Sequence, residues 1–293
     1  MQNMVSVVIL NWNGARYLEA CIESVYRQSY KFIEIILVDN GSTDGSVDIV
    51  KNKYPNIRVV MHSKNIGFAQ GMNTGIAVSQ GEFILLLNED VCLDTDFIAN
   101  GINIFNKDSS LGWVGGLVYE WRRGEKTNVI INAASALKRR FQFVTLPNTT
   151  VQQESLMGTA CAMLLRRTAL DDVKIGDEDW LDHRYFAYWE DIDLALRLWL
   201  RDWKCIFTPD MFLWHVVSGS VGGKRKLVDK PITFQRMSLR NRYWTIIKDV
   251  PTEVICRFLL YLLLVELLII PYFVHVSPRT AWCSIGAVCD TAK

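Results

Sequence analysis

The chain reads as an α/β protein, with a mainly parallel central sheet flanked by helices and an apolar helical segment at the C-terminal end. Three observations predict this. Short apolar, β-branched runs alternate with amphipathic stretches through the first third of the sequence. Several of those runs stop abruptly at polar clusters. The region 258–274 is almost unbroken leucine, isoleucine, valine and aromatic residues.

The elements follow in order. Residues 5–10 form a short apolar run of the kind a buried parallel strand needs. Asn11-Trp12-Asn13-Gly14 breaks it, and a helix is expected to about residue 28 with Leu18, Ile22 and Val25 on one face. Residues 35–38 are a second strand ending in Asp39-Asn40-Gly41-Ser42. Thr43-Asp44 offers an N-cap for a helix to about residue 53. Residues 57–61 are a third strand, and 67–79 fit a helix whose glycines weaken it. Residues 83–87 are a fourth strand, stopped by Asn88-Glu89-Asp90. A helix over 95–105 and a strand over 113–118 continue the rhythm, and a further helix runs from Glu190 to about residue 202. Strand–helix alternation of this kind builds a parallel sheet covered on both faces.

Composition narrows the function. The 293 residues are 50% hydrophobic and 22% charged, which excludes disorder. Lys and Arg total 32 against 31 Asp and Glu, a net charge of +1, so no nucleic-acid partner is indicated. The seven cysteines include no C-x-x-C pair, so they read as reduced, buried thiols. The N-terminus lacks the pattern of a signal peptide, and the catalytic part is expected in the cytoplasm. Mean hydropathy is +0.11, high enough to prompt a search for a membrane-facing segment.

In open α/β sheets, ligands bind at the carboxyl ends of the strands. Three polar strand ends therefore mark a candidate site. No G-x-G-x-x-G, G-x-x-x-x-G-K-[ST] or G-x-S-x-G motif is present. A nucleotide bound here would be held by carboxylates and a cation, because a diphosphate needs its charge neutralised.

The residues that carry these clusters resemble a known family. Residues 7–14, 38–46, 65–69, 73–76 and 86–90, then Gly158-Thr159-Ala160, residues 163–167, residues 186–194 and Arg197 occur in the order found in family 2 inverting glycosyltransferases of GT-A fold. The branch most resembled is the bacterial rhamnosyltransferase-like group. The resemblance implies that Asp39 accepts the imide N–H of a pyrimidine base, with Asn11, Trp12 and Asn13 lining that pocket. It implies that Asn65 and Gly67 lie near the nucleotide, with helix capping as the alternative. Asn88-Glu89-Asp90 stands where the family has D-x-D. The first Asp is replaced by Asn, which leaves Asp90 as the metal contact and Asn88 at the ribose or a metal-bound water. The implied cofactor is Mg²⁺ or Mn²⁺. Within Glu190-Asp191, the resemblance makes Asp191 the general base, while Asp193 is either a partner or a helix-dipole residue. His215 is implied near the metal or diphosphate, followed by a Gly- and Lys-rich loop, 218–226, suited to closing over a diphosphate. Arg240 and Arg242 either reach phosphates or lie on a solvated face.

The expected organisation is a nucleotide-sugar half over 1–120, an acceptor-binding and catalytic half over 121–250, and an apolar segment over 251–293. The run 258–274 is long enough to span a bilayer if Glu266 and Pro271 are tolerated, and equally suits an interfacial helix, a dimer contact or a buried helix. The expected partners are a nucleotide-diphospho-sugar donor and a glycan or lipid-linked glycan acceptor. The expected place is the cytoplasmic face of the cell membrane, with basic residues upstream of the apolar run favouring an anionic surface. The competing readings are a nucleotidyltransferase, which would need a basic glycine-rich loop after the first strand, and a non-enzymatic nucleotide-binding scaffold.

Overall fold

The computed structural model describes residues 3–122, 124–138, 142–145, 149–158, 160–216, 227–280 and 282. Strands β1 (Val5–Asn11), β2 (Ile33–Asp39), β3 (Arg58–Met61) and β4 (Phe83–Asn88) pair side by side in the order β4-β1-β2-β3, all parallel. Helices α1 (Leu18–Tyr26), α2 (Ser46–Lys53) and α3 (Phe68–Val78) make the crossovers. This is the alternation the sequence predicts, with boundaries shifted by one to three residues.

Beyond β4 the sheet becomes mixed. A short strand β5 (Val91–Leu93) and helix α4 (Phe97–Phe105) lead into β6 (Leu111–Arg122), which turns back as β7 (Glu125–Asn132). Strands β8 (Ser135–Lys138) and β9 (Gln142–Thr145) form a separate hairpin, and β10 (Gln153–Ser155) returns to the sheet edge. Strand β11 (Ala162–Arg166) inserts antiparallel between β4 and β6. Helices α5 (Arg167–Val173) and α6 (Glu190–Leu200) precede β12 (Lys204–His215), which runs parallel to β6. Thus β1–β4, β6 and β12 all point one way, and their carboxyl ends share one edge.

Side chains alternate across β1. Val5, Val7 and Ile9 face α1 and α4, while Val8 and Leu10 face α3, α5 and α6. Each fully buried aliphatic contributes about 1.5–3 kcal/mol. The glycines that weaken α3 as a helix have a packing reason. A Cβ on Gly75 would sit 2.1 Å from Val8 Cγ1, so glycine lets α3 lie directly on β1.

Helix α7 (Ile232–Asp249) packs against α6 through Lys248 and Asp193, and α8 (Thr252–Val276) follows after Pro251. Leu260, Leu267 and Leu268 of α8 are exposed. Among the described residues, no helix is long and apolar enough to cross a membrane.

Candidate active site

The sheet register assembles the polar strand ends. Asn11 on β1 stands opposite Asp39 on β2, and Leu10 stands opposite Asn88 on β4. Asn11 Nδ2 donates to Asp39 Oδ1 at 2.8 Å, to Ser42 Oγ at 3.0 Å and to Ser46 Oγ at 2.8 Å. The Ser42 amide donates to Asp39 Oδ2 at 3.0 Å. Asp39 is therefore buried within a strand-end network of its own. Asn13 is exposed in a left-handed conformation, and its Oδ1 accepts from the Thr43 amide at 2.8 Å. Asn65 Oδ1 accepts from the Gly67 amide at 2.9 Å and from Asn40 Nδ2 at 3.1 Å, shaping the turn into α3.

A cavity of about 820 Å³ lies at this edge. Its lining includes Trp12, Asn65, Gly67, Asn88, Glu190, Asp191 and His215. Asn11, Asn13, Asp39 and Asp90 are not among its lining residues. Glu89, to which the sequence pattern gave no role, is.

The pairing of β5 with β12 sets Val91 opposite His215. His215 Nε2 then lies 3.2 Å from Asp90 Oδ1. Burial works against a charged imidazole, but Cys161 and Asp90 outweigh it and hold His215 well above the usual range. Burial, then the charge of Asp90, pushes the Glu89 carboxyl up to about 8. Asn88 Oδ1 is buried with no hydrogen-bond partner among the described residues. An orphaned amide oxygen, carboxylates and an imidazole around one turn are a donor set that fits Mg²⁺ or Mn²⁺. A second acidic group, Asp179, Asp182 and His183, lies on the loop before α6. Its oxygens are already engaged: Asp182 with Arg184 and Lys248, Asp179 with Asn73 and His183. That group is an ion-pair cluster.

The turn that delivers Glu190 and Asp191 is strained. Phe186, Tyr188 and Trp189 all have positive φ, at 59°, 69° and 75°. Such residues cost on the order of 1–3 kcal/mol each and persist only where the surroundings hold them. At Phe186 the chain makes a tight turn in which the Ala187 amide donates to Tyr185 O at 2.6 Å. The Phe186 carbonyl accepts from the Phe68 amide at the start of α3. A Cβ on Gly67 would meet Phe186 Cδ2 and O at 2.7 Å, so Gly67 is needed for this approach.

Burial pushes Asp191 up to about 6, against the Ile192 amide that donates to its Oδ1 at 2.9 Å. Burial, then the charge of Asp191, pushes Glu190 well above the carboxylate range. Burial thus raises both carboxyls of the pair. Asp193 is fully buried between Arg197, at 2.8 Å, and Lys248, so it serves the ion-pair core rather than the helix dipole alone.

A glycosyl transferase family 2 model matches residues 6–174. The chain belongs to glycosyl transferase family 2. "Glycosyltransferase GlyG" of Streptococcus pneumoniae is 40% identical over 93 residues, which is 31% of this chain and 31% of that protein. An "N-acetylglucosaminyl-diphospho-decaprenol L-rhamnosyltransferase" of Mycobacterium tuberculosis is 26% identical over 249 residues, 76% of this chain and 79% of that protein. Among solved structures, GalNAc-T7 with UDP, GalNAc and Mn²⁺ superposes with a TM-score of 0.65 at 16% identity, over 84% of this chain and 48% of that one. That likeness concerns the fold, which is GT-A.

For this family 2 chain, the Gly- and Lys-rich loop 218–226, Thr159, Cys283 and Cys289 lie outside the described residues. Arg240 is turned to Arg184 O at 3.2 Å and stacks 4.3 Å from the Trp244 ring. No bracing role was legible in the sequence for Asn241, Thr245 and Lys248, which hold the strained turn. Their only signal was a polar face on an otherwise ordinary helix.

Proposed function

We propose that this family 2 glycosyltransferase moves a sugar, rhamnose or a similar hexose, from a dTDP- or UDP-sugar to a hydroxyl of a glycan or lipid-linked glycan, with inversion. The observation that carries the reading is that Asp191 shares one cavity with Asn88, Glu89 and His215 at the strand-end edge. In this mechanism Asp191 takes the proton from the acceptor hydroxyl. The acceptor oxygen attacks the anomeric carbon, the bond to the diphosphate oxygen breaks, and the nucleoside diphosphate leaves. One displacement inverts the anomeric centre. Glu190 lies beside Asp191 at the start of α6, its carboxyl raised by burial and then by the charge of that neighbour. A divalent cation held by Asp90, beside Asn88 and His215, would neutralise the leaving diphosphate.

The exposed leucines of α8 suit the cytoplasmic face of a membrane carrying a lipid-linked acceptor, with a homodimer contact as the other occupant of that face. The name of the mycobacterial relative, which specifies a polyprenyl-diphosphate acceptor, supports this choice. The test is a panel of nucleotide sugars screened by thermal shift with Mn²⁺ or Mg²⁺. A selective shift with a dTDP- or UDP-sugar is expected. Equal response to purine nucleotides would overturn the pyrimidine assignment at Asp39.

A further inference from the structure

Asn241, midway along α7, is fully buried. Its Nδ2 donates to three carbonyls of one turn: Tyr185 O at 2.9 Å, Ala187 O at 3.0 Å and Tyr188 O at 2.8 Å. Two N–H groups serve three acceptors, so one bond is shared. The carbonyl cage also sets the amide orientation, since an oxygen placed there would face three other oxygens. Asn241 Oδ1 in turn accepts from Arg240 Nη2 at 2.9 Å, which holds the carboxamide in its plane.

The turn so gripped is the one with positive φ at Phe186, Tyr188 and Trp189. An L-residue reaches those angles only when something else compensates. A buried carbonyl left unpaired costs about 1–3 kcal/mol. Asn241 supplies both the compensation and the pairing. Trp189 is the last residue before Glu190 and Asp191, so the angles of this turn aim the N-terminus of α6 into the cavity.

We propose that Asn241 is the positioning residue for Asp191: its carboxamide holds the 185–188 carbonyls so that the Asp191 carboxylate meets the acceptor hydroxyl. The inference rests on Asp191 being the base. It assigns a catalytic consequence to a residue that touches no substrate.

The test uses the full chain. Hydrogen exchange over residues 183–193 is followed in the wild type and in Asn241→Leu, which fills the space without donating. The expected result is exchange at least about 10-fold faster at the Ala187 amide, with β1 and α1 unchanged. Release of dTDP from dTDP-rhamnose, or of UDP from UDP-N-acetylglucosamine, is then read with Mn²⁺, using the substrate that the wild type turns over faster. Turnover should fall about 100-fold, the scale of a misplaced catalytic group, while nucleoside diphosphate affinity stays within threefold.

The same substitution in an Asp191→Asn background should add little, because both act on one step. Unchanged exchange, or faster exchange with normal turnover, overturns the proposal. So does a full additional loss in the Asp191→Asn background, which leaves the base assignment standing. Normal turnover of Asp191→Asn alone instead removes the base assignment. If Asn241→Leu does not fold, Asn241→Ser decides by the same readings, since it keeps one O–H donor and little bulk. A fall of about 10-fold with unchanged affinity supports the positioning role, and turnover within threefold of wild type overturns it.

Discussion

The turn around Phe186 lines the cavity, the strand-end network around Asp39 lies behind Asn40 beside it, and the two are built in opposite ways. At the strand ends, Asn11, Asp39, Ser42 and Ser46 bond to one another along two neighbouring parallel strands and the turn between β2 and α2. The register of the sheet does most of the positioning. The turn at 185–189 has no such frame. Its backbone is unfavourable by itself, and its hold comes from the start of α3, more than a hundred residues earlier, and from α7, more than fifty residues later in the chain. The strand-end side is thus specified by local pattern plus sheet register, and the side that carries Glu190 and Asp191 by long-range hydrogen bonds and buried charges.

The comparison can be broken at several points. Asp191→Asn should keep nucleoside diphosphate binding and lower turnover at least about 100-fold, the scale of a positioned base. The wild-type rate should rise as pH increases through about 6, because the base acts as the carboxylate. Near-normal turnover in the variant would return the chemistry to another group.

Lys248→Met tests the charged support. Lys248 lies 2.8 Å from Asp182 and pairs with the buried Asp193. Removing it should cost about 3 kcal/mol of stability in denaturant unfolding. A loss below about 1 kcal/mol would show that Arg184 and Arg197 suffice for those carboxylates.

Asp90→Ala tests the strand-end side. It should abolish the enhancement of nucleoside diphosphate affinity by Mn²⁺ in calorimetry, while leaving the melting temperature within a few degrees of wild type. Unchanged enhancement would move the cation to other groups, His215 first.

Truncation separates α8 from both regions. A cut near Lys248, just ahead of the apolar run, would disturb the buried Asp249 and Val250. A cut after Pro251 should give a more soluble chain with unchanged affinity for dTDP or UDP. Membrane fractionation of both lengths tests the lipid-facing role, and equal partition would remove it.

The smallest effect expected is a pH slope. Burial, and then Asp193, raises Asp249 to about 8. A carboxyl raised in the folded state favours folding below its unfolded value near 4, and that contribution is lost as pH rises toward about 8. Asp249→Asn lacks the slope, so its melting temperature should gain on wild type between pH 5 and pH 8. Asp182, held below the usual range, works in the opposite sense and loses its contribution only in acid.

By itself the sequence determined the parallel half of the sheet, its crossover helices and the polar strand ends. Apolar β-branched runs of strand length can only be buried, and a parallel sheet brings the residues just after each run to one shared edge. Glu190 and Asp191 were marked by the resemblance to the family, since two acidic residues opening a helix would by themselves equally serve its dipole. Tertiary structure decided the rest. The reversal of β11 between β4 and β6 depends on which neighbour completes the sheet, and no local periodicity records that. Only the tertiary register brings His215 beside Asp90, by pairing β12 with β5. Asn241 and Lys248 look in sequence like polar residues on a surface helix. Their roles exist only because α7 packs against a turn whose unpaired carbonyls and buried carboxylates need donors, and a donor can be supplied from any distance along the chain.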